Sequence, residues 1–124
     1  MLRDRNLFIN IFVMKIREKK GIVGFLFSGV AGVTLAPFGI YLSKRHMTNQ
    51  KTIRHEKIHW KQQMEMLILP FYLWYLIEWL IRLVTDKGNA YRSISFEQEA
   101  YRNESNVKYL ESRKRFAWVK YLHR

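Results

Sequence analysis

The clearest pattern along the chain is a change from strand-like to helix-like spacing of apolar residues after its first third. Residues 7–16 are rich in Ile, Phe and Val, which favours a strand, and residues 19–21 are typical of a turn. Residues 30–35 and 38–42 predict one bent strand or two short strands, broken near Pro37. The first third is therefore expected to form a small β-sheet.

A membrane helix is the alternative for residues 21–43, which carry no charged side chain and approach the length of a bilayer span. Five glycines and a proline weaken any helix there, which favours the strands. Residues 67–84 are a second possible span, because Glu78 and Arg82 are their only charged residues. A helix that is apolar nearly all round is either buried in a core or in contact with lipid.

Four helices are predicted in the remainder of the chain. The first spans residues 52–69 and ends before a proline, and the second spans residues 71–84. The third spans residues 96–110 after a possible N-cap at Ser95, and the basic, aromatic fourth spans residues 111–122.

The predicted fold class is α+β, in one compact domain of residues 1–124. Residues 1–43 are expected to be rich in strands and residues 52–122 to be helical. A chain of this length can bury about two-thirds of its unfolded surface, which is enough for a real core.

The first long helix, with Thr52 as its expected N-cap, carries His55, Glu56 and His59 in an HExxH pattern. Histidines spaced i, i+4 project from one face of a helix, where two imidazole nitrogens can share one tetrahedral zinc ion. The intervening glutamate projects beside them, where it can activate a water molecule.

The faces of this helix are expected to have different environments. At 100° per residue, the apolar face consists of Ile53, Trp60, Met64 and Leu67. A second face consists of His55, His59, Gln62 and Met66, and Lys57, Lys61 and Glu65 form a solvent-facing sector between the two. One side of the helix is therefore predicted to be buried in the core while another lines a site.

Composition limits the ligands and the partners. The chain has no cysteine, so any zinc ion must be held by His, Glu or Asp. With 22 basic and 10 acidic residues the net charge is +12, which favours an anionic partner such as a membrane surface. Basic and aromatic residues in 102–124 could contact nucleic acid, but no RNP, zinc-finger or helix-turn-helix signature supports that reading.

A catalytic zinc ion needs a third protein ligand. Glu97 follows His59 by 38 positions, and the hydrophobic helix between them could return the chain to the metal. Glu99 is the alternative third ligand. It lies about 200° round the helix from Glu97, so the two carboxylates cannot both face one ion. His46 and His123 are most simply solvated.

An HExxH motif followed by a helical glutamate resembles the gluzincin class of zinc metallopeptidases. The segment from Glu97 to Tyr101 is similar to the E-x-E-A-[DN] helix of compact and membrane-linked gluzincins, and it implies that Glu97 is the ligand. Tyr101 departs from the Asp or Asn of that pattern. The chain also looks like small uncharacterised bacterial proteins that carry H-E-x-I-H-x-x-Q-Q and S-F-E-x-E-A-Y.

The resemblance implies a small zincin-like domain that binds one Zn²⁺ and hydrolyses peptide or protein substrates, with Glu56 as the general base. Tyr91 and Arg92 are candidates for stabilising the oxyanion, from their position alone. Tyr101 and Glu78 are candidates for orienting a ligand.

The alternative is a small basic protein that associates with membranes or nucleic acid, with a structural metal or none. No clean signal peptide is recognisable, so a cytoplasmic or membrane-associated location is expected.

Overall fold

The computed structural model describes residues 14–122. It shows an α+β fold in which a three-stranded sheet is followed by several helices. The predicted strand at 7–16 lies mostly outside the described residues, and the first described strand, β1, spans Ile16–Glu18. His123, which was expected to be solvated, also lies outside the described residues.

The sheet has the order β1-β3-β2. Strand β2 spans Gly32–Leu35 and β3 spans Gly39–Leu42, and the two pair antiparallel across the turn that contains Pro37. Strand β1 pairs parallel with β3. The prediction of two short strands is confirmed for β2 and β3. The alternative of a membrane helix over residues 21–43 was wrong. That segment contains β2, β3 and a helix of only six residues, α1 (Gly21–Leu26).

Helix α2 spans Gln50–Glu65 and packs across the sheet. Its N-cap is Asn49 and not Thr52, because Asn49 Oδ1 accepts from the backbone N–H groups of Lys51 and Thr52. The apolar face of α2 behaves largely as expected. Ile53 and Trp60 are buried in a cluster with three residues of the sheet region, Ala36, Ile40 and Leu42.

Helix α3 spans Leu69–Thr85, which agrees with the predicted second helix. Within residues 14–122, no single helix is long and apolar enough to cross a membrane. Helices α2 and α3 reach the required length and composition only as a joined pair, and the chain bends by 113° between them.

The predicted third and fourth helices are mostly replaced by shorter elements. Helix α4 spans Ala90–Ser93, α5 spans Ser95–Asn103 and α6 spans Tyr109–Ser112, and a 3₁₀ helix follows at Ala117–Tyr121. The long helix expected over residues 96–110 ends early because Glu104 turns back to α2, where its carbonyl accepts from Arg54 at 2.6 Å.

The helix predicted over residues 111–122 was also wrong. Arg113 has an extended backbone and reaches inward to Glu65 and Glu99, and the backbone of Phe116 is left-handed with φ 56°. Tertiary ion pairs therefore override the helical propensity of this segment.

Candidate metal centre

Helices α2 and α5 bring three ligand atoms together in the interior. The Nε2 atoms of His55 and His59 are 3.2 Å apart, and Glu97 Oε1 lies 3.2 Å from the first and 3.1 Å from the second. Ligands bound at about 2.0 Å in a tetrahedron are separated by about 3.3 Å. The triangle therefore has the size that a tetrahedral zinc ion requires of three ligands.

Hydrogen bonds orient both imidazoles toward this triangle. His55 donates from Nδ1 to Glu104 Oε2 at 2.7 Å, and His59 donates from Nδ1 to Gln62 Oε1 at 2.7 Å. The Gln62 amide is itself fixed, because its Nε2 donates to the Phe96 carbonyl at 3.0 Å. Since each Nδ1 carries its proton, each Nε2 of a neutral ring offers a lone pair to a metal.

The electrostatics of the triangle favour a cation at its centre. Burial by itself lowers the pKa of His59, but attraction to Glu97 and Glu56, together with the hydrogen bonds, outweighs it and raises the pKa to about 9. Burial raises the pKa of Glu97, but the two imidazoles outweigh it and hold that pKa well below its usual range. In the metal-free protein a proton on His59 therefore occupies the place that a metal cation suits.

Glu56 lies on the wall of a cavity of about 330 Å³ that His59 and Glu97 also line. Thr34 of β2 donates from Oγ1 to Glu56 Oε2 at 2.7 Å. The other oxygen, Oε1, has no hydrogen-bond partner within residues 14–122. Gly32 makes room for this carboxylate, because a Cβ there would lie 3.2 Å from Glu56 Cγ and 2.6 Å from Leu42 Cδ2.

Three tyrosines line the same cavity: Tyr72, Tyr75 and Tyr91. Tyr75 donates to Glu97 Oε2 at 3.0 Å, which is the carboxylate oxygen outside the triangle. Burial, with a smaller contribution from Glu97, raises the pKa of both Tyr75 and Tyr91, so both hydroxyls stay protonated. Tyr91, a candidate from the sequence for stabilising the oxyanion, lines this cavity, whereas the sequence assigned Tyr75 to the core or to lipid.

Tyr101 and Arg92, which were also candidates from the sequence, lie next to each other, with Tyr101 beside His55. Tyr101 packs edge-on against the His55 ring at 4.6 Å, and the Arg92 guanidinium lies over the Tyr101 ring at 4.1 Å. Glu56 also lines a second cavity of about 550 Å³, which Tyr101 lines as well, whereas Arg92 lines neither cavity. The hydrogen bond that orients His55 is made with Glu104 and not with Tyr101.

Glu78 was a candidate for orienting a ligand, but within residues 14–122 it is hydrogen-bonded to neither histidine of the triangle. It is buried, and its two oxygens accept from the backbone N–H of Ser95 at 2.6 Å and from Ser95 Oγ at 2.7 Å. Glu78 therefore caps the start of α5, the helix that carries Glu97.

A glutamine clamps the free edge of the sheet next to the cavity. Ser43 N–H donates to the Ala31 carbonyl at 2.9 Å, so alternation directs the backbone groups of Gly32, Thr34 and Ala36 away from β3. Gln63 donates to the Thr34 carbonyl at 2.8 Å and accepts from Ala36 N–H at 2.9 Å. It thus makes two of the bonds that a neighbouring strand would make. The backbone groups of Gly32 on this edge have no partner among residues 14–122.

Glu99 occupies a separate buried cluster. It accepts from Arg113 Nε at 2.6 Å and from the Tyr109 hydroxyl at 2.9 Å. Arg113 also binds Glu65 in a bidentate pair, so the Glu65 side chain is buried and not wetted as the helix faces predicted. His46 lies apart from both clusters and contacts Ser43.

Several residues of the site were not predicted. Glu104 lies seven positions after Glu97, two helical turns along the same face, and this spacing could have revealed it. Thr34 and Gln63 reach the site from a strand and from another turn of α2, and no local pattern marks them.

Comparisons with protein-family models, with curated proteins and with solved structures find no match to this chain.

Proposed function

We propose that the protein is a zinc-dependent peptidase of the gluzincin type, with His55, His59 and Glu97 as metal ligands and Glu56 as general base. The observation that carries the proposal is the buried triangle of two imidazole nitrogens and one carboxylate oxygen with edges of 3.1 to 3.2 Å. Zinc suits this donor set because it readily binds His₂Glu in a tetrahedral arrangement.

The zinc ion would supply an acidified water and would polarise the peptide carbonyl. Glu56 would accept a proton from the attacking water on its free oxygen, with Thr34 holding the other oxygen in place. Glu56 would then return this proton to the leaving amine as the C–N bond breaks. Tyr91 is the cavity hydroxyl that would donate to the developing oxyanion, and Tyr75 would do so by turning away from Glu97 Oε2.

An extended substrate is proposed to add to the free edge of β2. Gly32 lines the cavity beside Glu56, and its backbone groups face away from β3. Because Gln63 occupies the Thr34 carbonyl and the Ala36 N–H, the substrate backbone has only a short stretch of edge to pair with. The mostly aromatic and aliphatic cavity walls favour apolar substrate side chains.

The test is hydrolysis of fluorescently labelled casein by the zinc-loaded protein. Glu56→Gln should retain zinc and lose about 10²- to 10⁴-fold in rate, because the general base is removed and the ligands are not. The matched control is Glu111→Gln at an exposed carboxylate, which should keep full activity. Equal rates for Glu56→Gln and the wild type would remove Glu56 as the base.

A zinc-loaded wild type that cleaves neither casein nor a mixed peptide library would instead assign the metal a structural role. That outcome would retain the metal site and reject the peptidase.

A further inference from the structure

Helix α3 has an inverted distribution of polar and apolar side chains. Its inward stripe, spaced i, i+4, i+7 and i+11, consists of Phe71, Tyr75, Glu78 and Arg82. The only two charged residues of the helix thus face the protein. Glu78 binds Ser95, and Arg82 donates to the Leu122 carbonyl at 2.9 Å.

The rest of the helix exposes apolar side chains. Eleven of its residues are large, hydrophobic and at least a third exposed: Leu69, Tyr72, Leu73, Trp74, Leu76, Ile77, Trp79, Leu80, Ile81, Leu83 and Val84. No element within residues 14–122 covers this surface, which we call the α3 face. A face that is apolar on three sides of a helix is far larger than a soluble surface ordinarily exposes.

Charge identifies the occupant. Six of the ten acidic side chains are turned into the interior: Glu56, Glu65, Glu78, Glu97, Glu99 and Glu104. Within residues 14–122, 14 of the 19 basic residues are exposed, whereas Glu111 is the only exposed acidic residue. A second copy of so cationic a chain would be repelled, whereas an anionic surface would be attracted.

Cations are also exposed on residues 114–120, a segment that contacts α3 through Trp118. The 3₁₀ helix Ala117–Tyr121 packs beside α3, where the rings of Trp118 and Trp74 are 6.0 Å apart. This segment exposes Lys114, Arg115 and Lys120 together with the apolar Phe116 and Val119. Apolar and aromatic side chains together with cations suit the boundary between lipid headgroups and acyl chains.

We propose that the α3 face docks on an anionic lipid bilayer, with α3 lying in the membrane plane. Seventeen residues give a helix of about 25 Å, whose own backbone hydrogen bonds satisfy its polar groups in lipid. The protein body takes the place of the polar face that an interfacial helix normally has. The proposal does not depend on the metal site, although Tyr72 and Tyr75 of α3 line the cavity and docking would bring its mouth near the bilayer.

The test is co-flotation with vesicles of phosphatidylcholine alone and of equimolar phosphatidylcholine and phosphatidylglycerol. Wild type should float with the anionic vesicles and much less with the neutral ones. Leu73→Asp and Leu80→Asp alter side chains that are 62% and 50% exposed, so folding should be unaffected. Each should weaken vesicle binding by about tenfold or more, because a charge would be pressed into lipid.

The matched control is Val107→Asp, which adds the same charge at a side chain that is 74% exposed outside α3. It should bind vesicles nearly as the wild type does. Tryptophan emission gives a second readout, because Trp74 and Trp79 are exposed while Trp60 and Trp118 are buried. Emission should shift to the blue on anionic vesicles and not in Leu80→Asp.

Vesicle binding that Leu73→Asp and Leu80→Asp leave unchanged, and that salt abolishes, would assign binding to the basic surface alone and overturn the role of the α3 face. Oligomers that Leu80→Asp dissociates, without vesicle binding by the wild type, would assign the face to a second copy. Salt-sensitive binding to RNA with no binding to vesicles would assign the charge to nucleic acid.

Discussion

Glu97 and Glu99 are two positions apart on α5 and both are buried, but their partners differ in kind. Glu99 is paired with Arg113, whose positive charge is permanent, and with the hydroxyl of Tyr109. Glu97 faces two imidazoles and the hydroxyl of Tyr75. One glutamate thus has its cation within the protein, whereas the other is placed where an added cation would complete the cluster.

The largest expected effect separates the two glutamates by their contribution to folding. In the metal-free protein, Glu99→Gln should lower the free energy of unfolding by about 3 kcal/mol, because it breaks a buried charged network around a guanidinium that cannot lose its proton. Glu97→Gln should cost under about 1 kcal/mol, because His59 can release its proton when the carboxylate is gone. Denaturant unfolding measures both values.

Equal losses of stability in these two variants would break the comparison. A greater loss for Glu97→Gln would mean that its carboxylate holds the fold in the way that Glu99 does.

The next effect concerns the hydrogen bond that orients His55. Glu104→Gln should weaken zinc binding by about 10- to 100-fold, because the imidazole loses a charged acceptor at Nδ1 while all three ligands remain. Competition with a chromophoric chelator measures the affinity. Glu111→Gln, at an exposed carboxylate, is the control and should bind zinc as the wild type does. An unchanged affinity in Glu104→Gln would show that His55 is oriented by packing alone.

The smallest expected effect concerns the tyrosine hydroxyl that donates to each of the two glutamates. Tyr109→Phe removes the donor to Glu99 and should cost about 1 to 2 kcal/mol of stability without changing zinc affinity. Tyr75→Phe removes the donor to Glu97 and should leave stability closer to wild type but lower the hydrolytic rate. Thermal unfolding and casein hydrolysis, measured on both variants, test the pair. A loss of hydrolysis in Tyr109→Phe alone would reverse the assignment.

Features that depend on local patterns could be predicted from the sequence, and features that depend on contacts between distant residues could not. The spacing of His55 and His59 on one helix and the two strands around Pro37 depend on local periodicity, and both patterns are visible in the chain. The end of α5 depends on Glu104 reaching a histidine 49 positions away. The loss of the last helix likewise depends on Arg113 reaching Glu65.

The environment of α3 shows a different limit. Its composition predicted a helix in a core or in lipid, and the structure leaves most of its side chains exposed. The inward-facing residues of α3 could not be predicted from the sequence. Glu78 and Arg82 occupy the side that a soluble helix normally fills with apolar residues.

The most direct measurement is the zinc content of the purified wild type, Glu97→Gln and Glu99→Gln after equilibration with limiting free zinc. The wild type and Glu99→Gln should each bind one zinc ion per chain, and Glu97→Gln should bind more than about 100-fold more weakly. Loss of zinc in Glu99→Gln with retention in Glu97→Gln, or a wild type that binds no stoichiometric zinc, would contradict the assignment of His55, His59 and Glu97 as a metal centre.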